Sequence, residues 1–136
     1  MRELEQYFKA LADGSRLRIL NLLVQGELCV CDVQYVLDIP QPNVSRHLAY
    51  LKNSGIVLDR RDGYRIYYRL SDPKHKTKKL FYDFLYKAFQ DEAQLKDDTM
   101  RLKEAISAGA CSLSEGKPSG IDVAAARLTT ATTMKR

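Results

Sequence analysis

The chain has 136 residues, enough for one domain around one core, and its 45% apolar content is ordinary for a globular protein. No apolar run approaches the ~18 residues that a bilayer span requires. The polar start Met1-Arg2-Glu3-Leu4-Glu5 lacks the apolar stretch of a secretory signal, so the reading is a cytoplasmic protein with no membrane partner. The net charge of +5 is unevenly spread: between residues 41 and 79, ten Lys and Arg stand against three Asp, an excess larger than that of the whole chain. Such a basic stretch suits a polyanionic partner, although a solvated surface accounts for charge alone equally well.

Taken in order, Leu4, Tyr7, Phe8 and Leu11 share one helical face and predict a helix over 2–12. Asp13-Gly14-Ser15 breaks it and supplies cap oxygens for a second helix over 15–24, rich enough in Leu and Ile to be central. A short helix over 31–37 follows, then a turn through Pro40. A fourth helix begins near Pro42, with Val44, Leu48 and Leu51 inward and Gly55 after its end. The period then changes to two. Residues 56–61 and 64–70 read as strands joined at Asp62-Gly63, a strong hairpin signal. Ser71-Asp72-Pro73 introduces one long helix over 74–107, whose aromatic stripe exceeds the needs of a small core. That helix and the first are therefore expected to form a homodimer interface, an intramolecular core helix being the alternative. Residues 108–136, rich in Ser, Ala, Gly and Thr, read as a flexible tail behind a domain over 1–107.

This order, mainly α with a β-hairpin, is the winged helix-turn-helix plan. A recognition helix enters the major groove and the wing reaches the adjacent backbone. Gln41, Asn43, Ser45, Arg46, His47, Tyr50 and Lys52 form the expected recognition surface. Arg60, Arg61 and Arg65 are the expected backbone contacts of the wing, and Tyr67 is expected to pack beneath it. The expected partner is double-stranded operator DNA.

Cys29 and Cys31, two apart, cannot face one ion from a regular helix, so the helix start must be extended or unwound there. Ligation would then distort the helix bracing the recognition helix and depopulate the DNA-binding geometry. Buried structural cysteine is the plainer alternative.

The segment Gly26-Glu27-Leu28-Cys29-Val30-Cys31-Asp32-Val33 resembles the ELCVCDL box of the arsenic-responsive repressors of the ArsR/SmtB family. The run from Gln41 to Lys52 resembles that family's recognition helix. Ser54-Gly55-Ile56-Val57 and Arg60-Arg61-Asp62-Gly63 resemble its wing, and the stretch from Ala12 to Leu20 its second helix. The resemblance implies a homodimeric repressor, not an enzyme, released from DNA when As(III) or Sb(III) binds cysteine thiolates. It carries Cys29 and Cys31 over as ligands. The position of the box's third cysteine holds Gln34, which leaves Cys111, or a solvent or small-thiol ligand, as the third donor. The latter arrangement would suit a monomethylated arsenical. The family's zinc sites use His with Asp or Glu on the long helix, and this chain offers only His75 there. Cadmium or lead at the same thiols, or thiol oxidation involving Cys111, are the alternative triggers.

Overall fold

The computed structural model describes residues 1–109. Helix α1 (Arg2–Leu11) leads into α2 (Gly14–Gln25), a two-residue strand β1 (Leu28–Cys29), α3 (Val30–Leu37) and α4 (Gln41–Asn53). Strands β2 (Val57–Asp62) and β3 (Arg65–Leu70) form the hairpin, followed by α5 (Lys76–Ala88), a 3-10 turn (Phe89–Asp91) and α6 (Ala93–Ser107). The architecture is a winged helix-turn-helix. The expected tail, with Cys111, lies outside the described residues.

Helix α2 runs through the middle, and its Ile19, Leu20, Leu22 and Leu23 are buried, as its apolar density requires. Val44, Leu48 and Leu51 turn α4 inward, which fixes which of its side chains face out. Asp13 caps α2: its Oδ1 accepts the Arg16 N–H at 3.0 Å. That bond, more than the nearby His47 and Arg16 charges, holds the Asp13 carboxyl below its ordinary range. The capping contribution is therefore present above the usual carboxylate pKa and lost as pH falls through the lowered value. Asp13→Ala should cost about 1 kcal/mol at pH 7. Chemical denaturation of the two proteins should give converging stabilities in acid; an undiminished gap there would contradict this account of the cap.

Three features depart from the sequence reading. The helix expected over 74–107 is two helices, because Phe89–Asp91 tightens to 3-10 geometry and Glu92 is extended at φ −91°, ψ 119°. No Gly or Pro marks this break. It is made by tertiary contacts that draw α6 back onto α2: Asn21 Nδ2 donates to the Leu95 carbonyl at 3.0 Å, and Arg18 pairs with Asp98 at 2.8 Å. The hairpin turn is Gly63-Tyr64, one residue later than expected, because Asp62 pairs with Arg65. Gly63, at φ 65°, takes the left-handed position of the two-residue turn. Finally, β1 adds a third strand in the order β1-β3-β2, with Leu28 opposite Tyr68 and Cys29 opposite Tyr67.

Helices α1 and α5 meet through stacked Tyr7 and Phe81, with ring centroids 4.8 Å apart. Only part of each expected stripe is buried by this contact. Phe8 on α1 and Leu80 and Phe84 on α5 remain 59, 59 and 58% exposed, leaving an apolar face on these two helices. No helix among the described residues is long and apolar enough to cross a membrane.

Candidate nucleic-acid interface and thiol site

Proline 42 stands in the first turn of α4, where its missing N–H costs nothing. The inward stripe leaves Gln41, Arg46, Tyr50 and Lys52 exposed and Asn43, Ser45 and His47 partly covered. Gln41 Nε2 donates to Ser45 Oγ at 2.9 Å, joining two of the expected groove-facing groups. His47 turns toward the start of α2: its Nδ1 lies 3.5 Å from Arg16 and 4.0 Å from Asp13. Arg16 is a residue the sequence reading passed over. Its guanidinium lies 4.1 Å over the Tyr50 ring and donates to the Ala10 carbonyl at 2.8 Å and the Lys9 carbonyl at 3.1 Å. One side chain thus satisfies the carbonyl end of α1 and steadies the outer face of α4. Nothing in local spacing announces that role.

The expected cations are not equivalent. Lys52 is paired with Asp59 at 3.0 Å. Arg60 is held by Glu27 in a fork of 2.7 and 3.0 Å and covers the buried Tyr67 ring at 4.5 Å. The hydrogen bond to Glu27 pushes the Arg60 pKa up further. Tyr67 lies beneath the wing, as expected, although it shares a strand face with Arg65 and Arg69, and burial pushes its phenol pKa up. Arg46 and Arg61 are exposed, and among the described residues neither has an ion-pair partner. Arg65, expected to point at DNA, instead donates to Cys31 Sγ at 3.0 Å and reaches Cys29 Sγ at 3.7 Å.

The thiol site follows from where α3 begins. Cys29 is the last residue of β1 and the N-cap of α3, with extended backbone at φ −84°, ψ 164°. Its N–H donates to Asp32 Oδ2 at 3.0 Å, the carboxylate arm of a capping box with cysteine where Ser or Thr usually stands. The extended residue satisfies the condition that two thiols at this spacing need. The ligand atoms of Cys29, Cys31 and Asp32 all lie within 4.8 Å of one another. Two sulfurs and a carboxylate suit a soft or borderline thiophilic ion. Cys29 is a buried free thiol and Cys31 is in a disulfide, so the two-thiolate donor set belongs to the reduced protein. Asp32 was not singled out from the sequence, although a Cys-x-x-Asp at a helix start carries the capping-box spacing.

Both sulfurs open on a cleft of about 490 Å³ between the start of α3, the first turn of α4 and the wing. Gln34, Gln41, Ser45 and Arg65 line it with them. The two sulfurs, the first turn of α4 and the wing therefore share one cavity wall.

The profile of the bacterial regulatory proteins of the arsR family matches residues 13–58. The arsenic resistance transcriptional regulator ArsR1 of Pseudomonas putida is 43% identical over 100 residues, covering 71% of this chain and 75% of that protein. The arsenical resistance operon repressor of Escherichia coli is 57% identical over 67 residues, covering 48% of this chain and 57% of that protein. Among solved structures, HlyU from Vibrio cholerae superposes with a TM-score of 0.58 at 29% identity, over 66% of this chain and 95% of that one. The homodimeric winged helix-turn-helix DNA-binding domain of Mb0332 from Mycobacterium bovis, a possible ArsR-family regulator, superposes with a TM-score of 0.56 at 36% identity, over 64% of this chain and 79% of that one.

Proposed function

The chain belongs to the arsR family of bacterial regulatory proteins, which are DNA-binding transcriptional regulators and not enzymes, and from that premise we propose a cytoplasmic homodimeric repressor that leaves its operator when As(III) or Sb(III) binds Cys29 and Cys31. The observation that carries this reading is the convergence of the two sulfurs and the Asp32 carboxylate at the extended start of α3. The names of the relatives support arsenic over other thiophilic ions. The cytoplasm keeps such thiols reduced and available. Cys29 and Cys31 are the two protein ligands; Cys111 or a solvent ligand supplies the third.

In the DNA-binding state, Gln41, Asn43, Ser45, Arg46 and Tyr50 face the major groove, with Lys52 and the arginines of the wing near phosphates. His47 supports α4 from behind through Asp13 and Arg16. The exposed apolar face of α1 and α5 pairs two protomers, which sets two recognition helices against two half-sites. Capture of a common ion draws Cys29 and Cys31 out of their present arrangement. Because Cys29 is both the cap of α3 and a strand partner of the wing, the movement reaches both supports of α4.

The test is fluorescence anisotropy on a duplex that the wild-type protein has selected from a random library, in reducing buffer free of competing thiols. Arsenite should weaken binding about 5- to 150-fold, the usual span of allosteric coupling. Cys29→Ser/Cys31→Ser should bind the duplex and ignore arsenite. Arsenite-driven release from the double variant would remove these two thiols as the site. A thiol-redox trigger is the second reading, in which Cys31 enters a disulfide. In that case two thiols lose two protons and two electrons to a peroxide as a disulfide forms, and peroxide without arsenic should release the duplex.

A further inference from the structure

We propose that Arg16 is a positioning residue for operator recognition: its guanidinium is a strut that locks the recognition helix α4 to the end of the dimer helix α1, and so fixes the spacing of the two half-sites that one dimer reads. The inference rests on the dimer reading above and adds the part that sets the geometry of the pair. Arg16 lies in the first turn of α2, and its side chain is only 13% exposed. Its planar group is used on two sides. Along the edge, Nε donates to the Ala10 carbonyl at 2.8 Å and Nη2 to the Lys9 carbonyl at 3.1 Å, both in the last turn of α1. The face covers the Tyr50 ring of α4 at 4.1 Å, and Nη1 lies 3.5 Å from Nδ1 of His47, three residues earlier on the same helix. The carboxylate of Asp13, the cap of α2, stands 3.9 Å from Nη1 and balances the charge.

Specific binding by a dimer requires two recognition helices to meet two major-groove segments one helical turn apart, about 34–36 Å. That spacing follows from the angle at which each α4 leaves the dimer face. The buried stripe of Val44, Leu48 and Leu51 decides which side of α4 is inward, and two polar supports trim its angle. Past the C-terminal end of α4, Tyr82 and Lys78 of α5 donate to the Ile56 and Gly55 carbonyls at 3.0 and 2.8 Å, which pins the helix exit. Arg16 is the second support, further toward the middle of α4. A helix of 13 residues is about 20 Å long, so without the strut a swing of about 10° around the pinned end carries its first turn about 3.5 Å, the rise of one base pair. The guanidinium is mostly covered and its donors already face protein acceptors, so it acts on DNA through α4 and not through a phosphate. Lysine is no substitute, since an ammonium has no plane with which to cover Tyr50 while holding two carbonyls.

The experiment compares wild type, Arg16→Met and Arg16→Lys by anisotropy on the selected duplex, on the same duplex with one base pair inserted or removed at its centre, and on an unrelated duplex, across a salt series. Sedimentation follows the dimer and circular dichroism the fold. Wild type should bind the duplexes of altered spacing about 5- to 150-fold more weakly, the span for loss of a base-pair match. In Arg16→Met that penalty should shrink to about threefold or less, with affinity for the selected duplex lowered toward that for unrelated DNA and the salt slope unchanged. Arg16→Lys keeps the charge and a donor for the α1 carbonyls, so it should keep the fold yet lose most of the penalty, and it carries the test where methionine compromises folding. An undiminished spacing penalty in the lysine variant, or in a folded methionine variant, overturns the proposal. So does a salt slope reduced by about one, which would make Arg16 a phosphate contact. A loss that coincides with dissociation into monomers overturns it as well, because the role of Arg16 would then lie in the dimer itself. Failure of wild type to form dimers or to discriminate spacing defeats the dimer reading, a result separable from an undiminished penalty in the variants alone.

Discussion

Arg18→Met is expected to lower folding stability by about 3 kcal/mol, at the low end of the range for breaking a buried ion pair. Asp98 on α6 is fully buried, and Arg18 on α2 is 25% exposed. The guanidinium meets the carboxylate as a fork, Nε to Oδ2 at 2.8 Å and NH2 to Oδ1 at 3.0 Å. With the arginine gone, Asp98 retains, among the described residues, the Gln94 amide as a donor at 3.2 Å, and a buried carboxylate with so little compensation is costly. The reverse change, Asp98→Leu, should cost less, because the longer, partly exposed Arg18 can turn to water. The double variant should recover most of the loss, since an apolar pair of similar volume replaces a buried salt bridge at little net expense. Urea denaturation at fixed protomer concentration measures all three. A loss under about 1 kcal/mol in Arg18→Met would show that the pair is no better than a surface bridge.

That ion pair is also the reason part of the fold was illegible. Helices α1 to α4 are visible in the sequence because each is decided locally: a cap at Asp13, a proline in the first turn of α4, an apolar stripe at Val44, Leu48 and Leu51. The hairpin was legible to within one residue, because Gly63 marks a turn but the pairing of Asp62 with Arg65 decides which two residues form it. The break at 89–92 has no local mark. It exists because Arg18, Asn21 and their partners 74 to 80 residues away pull α6 back across α2. Strand β1 is two residues long, too short for any alternation to show, and is made by pairing with β3.

The candidate site divides in the same way. Cys29 and Cys31 were legible as a pair, and so was the requirement that one of them leave helical geometry, since that follows from spacing alone. The partners of the pair were not: Arg65 arrives from 34 residues away along the sheet and donates to a sulfur, where a contact with the DNA backbone was expected. The wing was read as a row of equivalent cations. Cross-strand and loop carboxylates, Glu27 and Asp59, sort that row into engaged and available members, and sequence spacing holds no record of that sorting.

The sorting makes a graded prediction for operator binding. Arg46→Ala should have the largest effect, about 1–3 kcal/mol or 5- to 150-fold, because Arg46 is exposed on α4 and has no ion-pair partner among the described residues to leave before it meets a base or phosphate. Its salt series decides which: a preserved slope with relaxed preference at one base position marks base readout, and a slope reduced by about one marks a phosphate. Arg61→Ala should behave as a phosphate contact, weakening all sequences alike. Arg60→Ala should differ from both. Its guanidinium is already committed to Glu27 and Tyr67, so the loss should appear mainly as a less stable wing in thermal denaturation, with little change in the salt slope. The ordering would fail if Arg60→Ala reduced the slope as much as Arg61→Ala, because Glu27 would then release its partner to DNA at no measurable cost. Glu27→Gln supplies the converse: freeing Arg60 from its carboxylate should strengthen nonspecific binding and steepen the slope, as one more cation becomes available to the phosphates.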